Sequence, residues 1–403
     1  MKSRRTEQHV IRKSNKNFHF IDDFCYQTKN LYNYANYIIR QEFITNNKWI
    51  RYNELFQICK KSEAYKEIGS NTGQATLRVL DRNWKSFFNA IQDWKLHNEK
   101  YLGRPKMPKY LKKKGRTTLI LDNNKVGIKN EKIYFKWKKF KIMNNIFSTK
   151  IPSNARVIQC RFVPRGSDYV MEIVYEIEVP DCCEESERIV GIDLGMYNFI
   201  TMSNNIGEQP IVIKGGVIKS INQYYNRKKA KIQSELIKNN NKYWSNQLQK
   251  LTNKRYEKIK YQMHCISKCL IDYCVLHNID TLVIGHSKKW KQENKQQQGF
   301  SYIPYEMFIK MLAYKCENNG IKYIETEEQY TSGTSFLDGE IPVKENYNRD
   351  RRVHRGLFVS NKGIKINADV NAAYQIIKKV FPDAFSNGIE GVGLHPMTVK
   401  MTV

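Results

Sequence analysis

Four acidic residues in this sequence stand where carboxylates do chemistry. Asp193 lies inside the apolar run IVGIDLG, Glu327 and Glu328 close the run GIKYIETEE, and Asp369 opens the segment NADVNAAY. A carboxylate within an apolar strand is costly to bury unless it is paired or ligates a metal. Three converging carboxylates repel one another and become stable on binding divalent cations. Mg²⁺ favours such hard oxygen ligands and keeps several of its waters. Two such ions, about 3.5–4 Å apart, activate a water and stabilise the leaving oxygen in phosphodiester cleavage. Each acid also has a plain structural reading: a buried strand aspartate at 193, a helix N-cap at 369 beside Asn367, surface charge at 327 and 328. The chemical reading gains weight if one fold brings all of them to one place.

The elements around them define such a fold. RIVGIDLG (188–195) is an apolar run closed by glycine, hence a buried strand, and YNFITMS (197–203) and PIVIKGG (210–216) continue it as an antiparallel meander. A polar helical region spans about 220–277; its Lys- and Asn-rich part at 227–255 reads as a solvated hairpin, and MHCISKCLIDYCVL packs on the sheet. IDTLVIGH (279–286) is a buried strand, YIPYEMFIKMLAYKCENN (302–319) a helix and GIKYIETEE (320–328) a strand. The segment 329–366 is irregular and basic, and INADVNAAYQIIKKVF (366–381) starts a helix. The order β-β-β-α-β-α-β-α predicts an RNase H-like fold. In that fold the first strand is central and the last helix crosses it. Asp193 and Asp369 then meet at one edge, and a glutamate arrives from a neighbouring strand.

Upstream, residues 1–20 are short, basic and mixed. Residues 21–100 read as helical, with Phe24, Thr28, Leu31, Ala35 and Ile38 at helical spacing. From about Ala75 a second helix carries the stripe Leu77, Leu80, Trp84, Phe87 and Ile91. Its opposite face bears Arg78, Arg82 and Lys85, either a solvated surface or a nucleic-acid face. GRPKMPKYLKKKGR (103–116) reads as a loop whose Lys106, Lys112, Lys113, Lys114 and Arg116 contact phosphates. Five β-like runs follow: TTLIL, VGI, EKIYFKWKKFKI, RVIQCRFVP and YVMEIVYEIEV, a small barrel or curled sheet. In the third, aromatics interleave with lysines such as Lys136 and Lys138. That mixture suits base stacking with phosphate contact and equally an ordinary half-buried strand. PDCCEESE (180–187) is a polar linker.

The bulk numbers agree. In 403 residues there are 68 Lys and Arg against 39 Asp and Glu, a net charge of +29. Such an excess repels itself unless a polyanion shares the surface, and nucleic acid does so through counterion release. No apolar run approaches the roughly 18 residues of a bilayer span, so no membrane partner is expected. The first thirty residues lack the apolar core of a secretory signal. The nine cysteines are odd in number and form no CxxC, which argues against a disulfide framework and for a reducing cytoplasm. Cys265 and Cys269, at helical spacing beside His264, read as core packing before a metal site.

With those residues in place, the chain resembles the TnpB (OrfB) family of transposon-encoded RNA-guided nucleases, which look like small ancestors of type V CRISPR effectors. RIVGIDLGMYNFITMS resembles RuvC-like motif one and INADVNAAYQIIKK motif three. LVIGHSKKWKQ, FSYIPYEMFIKMLAYKCENNGI and EEQYTSGTSFLDGE are similar to the matching blocks of one subgroup. The resemblance implies a multidomain α+β protein. It has a β-barrel wedge domain binding RNA (1–20 and 103–182), a helical recognition lobe (21–102) and a RuvC/RNase H-like α/β nuclease domain (183–403). The insert 329–366 binds nucleic acid in place of a zinc element.

Two departures stand out. The family's second carboxylate ends a strand, and here Gly285 holds that place. Its four-cysteine zinc element is absent, with Ser335 and Asp338 near the first expected pair, so structural zinc is not expected. Either the third carboxylate has moved to Glu328 or Glu327, or the site is inactive. Relocation is the reading adopted, because strand-end acids at EEQY adjoin the strand that lost its Glu and both aspartates remain. Alternation turns one of the pair inward, and Glu328 is preferred, with Asp338 a distant candidate. The resemblance thus implies a mobile-element RNA-guided DNA endonuclease in the prokaryotic cytosol. Asp193, Glu328 and Asp369, with Glu327 in reserve, hold Mg²⁺, for which Mn²⁺ substitutes, and cutting leaves 5′-phosphate and 3′-hydroxyl ends. Its partners are a guide RNA from the transposon end and double-stranded target DNA with a short flanking motif. Arg351, Arg352 and Arg355 hold nucleic-acid phosphates near the site. The alternatives are a nuclease-inactive RNA-guided DNA-binding repressor and an RNase H-like transposase acting without guide RNA.

Overall fold

The computed structural model describes residues 1–144, 146–182, 185–286, 303–386, 388, 391 and 393–400. The motif residues SKKWKQ (287–292) and FSY (300–302) lie outside the described residues. The chain forms two compact units, Lys2–Glu178 and Val179–Val403 with Met1.

In the first unit β1 (Lys2–Ile11) is followed by helices α1 (Phe18–Asn46), α2 (Tyr52–Cys59), α3 (Glu63–Ile68) and α4 (Ser70–Leu96). Strands β2 (Leu119–Asp122), β3 (Val126–Lys129), β4 (Lys132–Phe135), β5 (Arg156–Arg165) and β6 (Asp168–Glu178) complete it. The main sheet runs β1-β6-β5-β2, all antiparallel, and β3 with β4 makes a separate hairpin. The expected stripe of α4 is buried: Leu77, Leu80 and Trp84 pack with Leu31, Ala35 and Ile39 of α1. The Trp84 indole N–H donates to Asn36 Oδ1 (3.0 Å), which settles the one polar atom of that ring.

Two readings change. Residues 2–11 are a full ten-residue strand paired with β6 along its whole length. EKIYFKWKKFKI is strand only to Phe135; a 3₁₀ turn follows over Lys138–Met143. The reason is spacing: Trp137, Phe140 and Met143 recur every third residue, the 3₁₀ period, and Phe140 and Met143 are thereby buried.

The second unit opens with β7 (Ile189–Leu194), β8 (Asn198–Asn204) and β9 (Ile211–Lys214). The helical pair α5 (Gly216–Asn240) and α6 (Asn246–Leu276) follows, then β10 (Thr281–Gly285), α7 (Tyr305–Asn318) and β11 (Lys322–Thr326). A hairpin of β12 (Leu357–Val359) and β13 (Lys365–Asn367) ends the irregular insert before α8 (Ala368–Val380) and β14 (Met397–Val399). Strand order is β11-β10-β7-β8-β9-β14. β7, β8 and β9 form the antiparallel meander; β10 joins β7 and β11 joins β10 in parallel. This is the RNase H-like arrangement that the element order predicts, with β7 central and β14 added at an edge.

Both faces of the sheet are covered. Val190, Ile192, Leu194, Leu282 and Ile284 enter one core with Met263, Ile266 and Leu270 of α6 and Phe308 and Leu312 of α7. Ile189 and Val283 pack instead on Ile376 and Ile377 of α8. Each such aliphatic side chain, fully buried, contributes about 1.5–3 kcal/mol, which keeps α8 seated across the strands. No helix among the described residues is long and apolar enough to cross a membrane.

Candidate active site

Alternation along β7 decides which residues meet α8. Val190, Ile192 and Leu194 point to the α6 side, so Gly191 and Asp193 face α8. A Cβ at Gly191 would run into the Ala373 carbonyl oxygen and lie 2.6 Å from Ile377 Cγ1. Glycine is what lets the helix backbone come this close. Asp193, two residues on, arrives beside the first turn of α8, where Asp369 is the second helical residue. The N-cap is Asn367: its side-chain oxygen accepts from the amides of Asp369 (3.0 Å) and Val370 (3.2 Å). Asp369 is thereby released from capping. Its carboxylate accepts from Asn198 Nδ2 (2.7 Å) and from the Arg352 guanidinium (2.9 Å).

The third acid comes from beyond β11, whose last residue, Thr326, lies opposite Gly285 of β10. Glu328 keeps the α8-facing parity, half-buried, and lines the same cleft as the aspartates. Glu327 is exposed; its backbone carbonyl accepts from Lys379 Nζ (2.8 Å), and its charge acts on the same ammonium. The space a side chain at 285 would fill is taken from two directions. A Cβ there would meet Ile376 Cδ1 at 2.5 Å and Glu328 Cβ at 3.4 Å.

Asp193, Glu328 and Asp369 line one cleft of about 880 Å³, with Tyr197, Arg352 and Arg355 among its other walls. Burial, then the charges of Asp369 and Glu328, push the Asp193 carboxyl well above the usual carboxylate range, against the pull of Arg352. Burial pushes Glu328 up to about 7. Tyr305 donates its hydroxyl to the Gly195 carbonyl (3.0 Å), which ties down the turn after Asp193. Its own hydroxyl is raised by burial and then by Glu328 and Asp193. Three hard oxygen donors whose negative charge is short of compensation fit divalent cations. Among the described residues no three acidic, His or Cys side chains are yet gathered closely enough to hold an ion; Asp369 is turned to Arg352 and Asn198.

The basic candidates divide. Arg351 grips Glu340 (2.7 and 2.6 Å), Arg352 takes Asp369, and Arg355 stays exposed with its guanidinium 3.6 Å from the Tyr197 ring centre. In the first unit Arg116 is spent on Asp22 (3.0 and 2.6 Å), which also accepts from the Tyr169 hydroxyl (2.7 Å). Arg78, Arg82, Lys106, Lys112, Lys113, Lys114, Lys136 and Lys138 are exposed. Asp338 lies within the insert, accepting from the Asn361 amide (2.7 Å), and is not among the cleft residues. Sequence reasoning passed over Tyr197 and Asn198. The available signal was position: they stand in and just after the tight return that follows Asp193.

Comparison with known proteins bears on this geometry. A "Probable transposase" family model (OrfB_IS605) matches residues 172–291, and a "Cas12f1-like, TNB domain" model matches 305–376. TnpB-like protein ORF457 of Acidianus two-tailed virus is 23% identical over 390 residues, 87% of this chain and 80% of that protein. Among solved structures, the mini-RNA-guided endonuclease CRISPR-Cas_phi3 is similar over 94% of this chain and 92% of its own, at 11% identity and a TM-score of 0.50. A Cas12f1–sgRNA–target DNA complex is similar over 92% of this chain and 98% of that chain, at 16% identity and a TM-score of 0.38. The Cas_phi3 likeness is one of fold.

Proposed function

We propose that this chain, which is similar to TnpB-like proteins, is a member of the TnpB (OrfB) family and an RNA-guided DNA endonuclease cutting by metal-dependent phosphodiester hydrolysis at the acidic cleft. The observation that carries the reading is that Asp193, Glu328 and Asp369, from three separate elements, line one cleft. These three residues would hold Mg²⁺ or Mn²⁺. Bound there, such ions supply an activated water and charge stabilisation of the leaving oxygen.

The chain's own residues do the rest. Asn367 and Asn198 fix the position of Asp369. Gly191 lets α8 approach β7, and the Tyr305–Gly195 bond holds the turn beyond Asp193. Arg352 and Arg355 bring cationic charge to the cleft wall, where a substrate phosphate is drawn in. Guide pairing reads the target sequence, and the large positive excess neutralises phosphates.

The test uses purified protein with its RNA and a matched DNA duplex in Mg²⁺, Mn²⁺ or EDTA. The parent protein cuts only the matched duplex and only with an ion, and Asp193→Asn stops cutting while binding persists. Cutting in EDTA, or undiminished cutting by Asp193→Asn, refutes the proposal. The Arg352–Asp369 pair favours a second reading, a guide-directed DNA-binding protein whose nuclease site Arg352 keeps closed. Binding without cutting in either ion selects that reading.

A further inference from the structure

The insert 329–366 carries Arg352 and Arg355 to the cleft wall, yet it has little regular structure to hold it. Its residues do not fit zinc. A structural zinc ion takes mostly thiolate and imidazole ligands, and this stretch has no cysteine and one exposed histidine, His354. The flanks of the insert are anchored on α8. Phe336, Leu337, Phe358 and Ile366 pack with Val370 and Tyr374. Buried Asn371 accepts from the Phe336 amide (3.0 Å) and donates to the Thr334 carbonyl (2.8 Å). Within the span between, 341–356, only Pro342 is buried.

The Asn348 amide ties that span to the Gly333 carbonyl (3.0 Å). Further along, the tie is the Glu340 carboxylate. Arg351 Nη1 lies 2.7 and 2.6 Å from its two oxygens. One oxygen also accepts from the Ser335 amide (2.8 Å), the other from Asn361 Nδ2 (3.4 Å). The Glu340 and Arg351 side chains are 16% and 18% exposed, so salt screens the pair little. Three turns, at 335, 351 and 361, thus meet on one anion. Arg352 follows Arg351 directly, and its guanidinium donates to Asp369 (2.9 Å). We propose that the Glu340 carboxylate braces the insert in place of a metal and, through Arg351, fixes where Arg352 answers Asp369. Resting on the nuclease reading, this makes Glu340 a positioning residue for a cleft that it does not line.

The test uses RNA-loaded full-length protein. Trypsin nicks between 341 and 356 are mapped by mass spectrometry. Hydrogen bonds to a charged group hold this span, so Glu340→Gln speeds nicking there about tenfold or more while the overall melt changes little. Arg351→Gln, which leaves the carboxylate its Ser335 amide, does the same. Zinc chelation leaves the parent's pattern unchanged. Position is read as the Mn²⁺ concentration that half-maximally raises the melting temperature. Arg352 and the ion compete for Asp369, so Glu340→Gln lowers that concentration about two- to fivefold. Arg352→Gln lowers it equally, and the double variant goes no lower; a brace with no positioning role leaves it unmoved. The brace is overturned if both variants are nicked like the parent, or if chelation opens the parent and zinc closes it again. The positioning is overturned if the Mn²⁺ value stays put or if the two changes multiply. If the parent cuts matched DNA and both variants stay protected, the brace fails and the nuclease stands. If the parent neither cuts nor responds to Mn²⁺ while both variants open, the nuclease reading fails, the positioning falls with it, and the brace stands.

Discussion

Replacing Glu328 by Gln puts the greatest demand on the geometry of the acidic cleft. Glu328 shares the cleft with both aspartates, and its charge helps to raise the proton affinity of Asp193. Glu327 is exposed and faces Lys379, away from the cleft residues. Electrostatic stabilisation of this kind is a matter of several kcal/mol. Taking about 3–4 kcal/mol for the loss of one of three anionic groups, at 1.36 kcal/mol per tenfold, Glu328→Gln slows cleavage by roughly 10²–10³. Glu327→Gln changes an exposed charge, within about 0.5 kcal/mol or roughly twofold. The assay is single-turnover cleavage of matched DNA by excess protein–RNA complex, in Mg²⁺ and in Mn²⁺, with thermal melting alongside. The melt of Glu328→Gln is not lower than the parent's, since burial already disfavours the charge that the amide removes. A Glu placed at 285 does not rescue the variant, because its Cβ would collide with Ile376. Loss of cutting in Glu327→Gln with Glu328→Gln silent refutes the inward–outward assignment. If both are silent while Asp193→Asn is dead, the third carboxylate is neither of them.

Three further outcomes follow from the packing and the charges. In metal-free protein, Asp193→Asn relieves the charge pressed between burial, Asp369 and Glu328; about 1 kcal/mol raises the melting temperature by about 2–4 °C, and Mn²⁺ then stabilises the parent but not the variant, the reverse of what a purely structural aspartate gives. Gly191→Ala drives a methyl into the Ala373 carbonyl and Ile377, costing about 1–3 kcal/mol by overpacking, and an unchanged denaturant midpoint contradicts the helix–strand contact. In the first unit, burial works to raise the Asp22 carboxyl, but bonds from Arg116 and Tyr169 outweigh it and hold the carboxyl below its usual range. The folded state therefore binds fewer protons than the unfolded one. The stabilisation is whole above the unfolded value of about 3.9 and is lost as pH falls through the folded value, so Asp22→Asn flattens the acid limb of a stability–pH curve; an identical limb refutes the linkage.

What the sequence discloses is whatever a local pattern can carry. The stripe Leu77, Leu80, Trp84 is readable because burial repeats at the helical period, and Asp193 because one charge interrupts an apolar strand. β1 is unreadable for the converse reason. KSRRTEQHVI is polar almost to its end, and what holds it lies across the sheet: Arg4 opposite Glu176 (3.7 Å), and Gln8 opposite Glu172 (2.9 Å). The partners of Asp369 are hidden in the same way, since Asn198 and Arg352 stand far from it in the chain.

Gly285 shows where the two kinds of information join. The missing side chain is visible in the sequence, and its cause only in the packing. Ile376, which occupies the space beside Gly285, sits on α8 seven residues after Asp369, two turns further along the same helix. The helix that delivers one carboxylate to the cleft thus closes the position from which another would have come. With 285 shut, the nearest place on the same face is one strand over and two residues past its end, where Glu328 brings its Cβ to 3.4 Å from the vacated position. A glycine at 285, an isoleucine at 376 and a glutamate at 328 therefore fit one another in a single piece of packing.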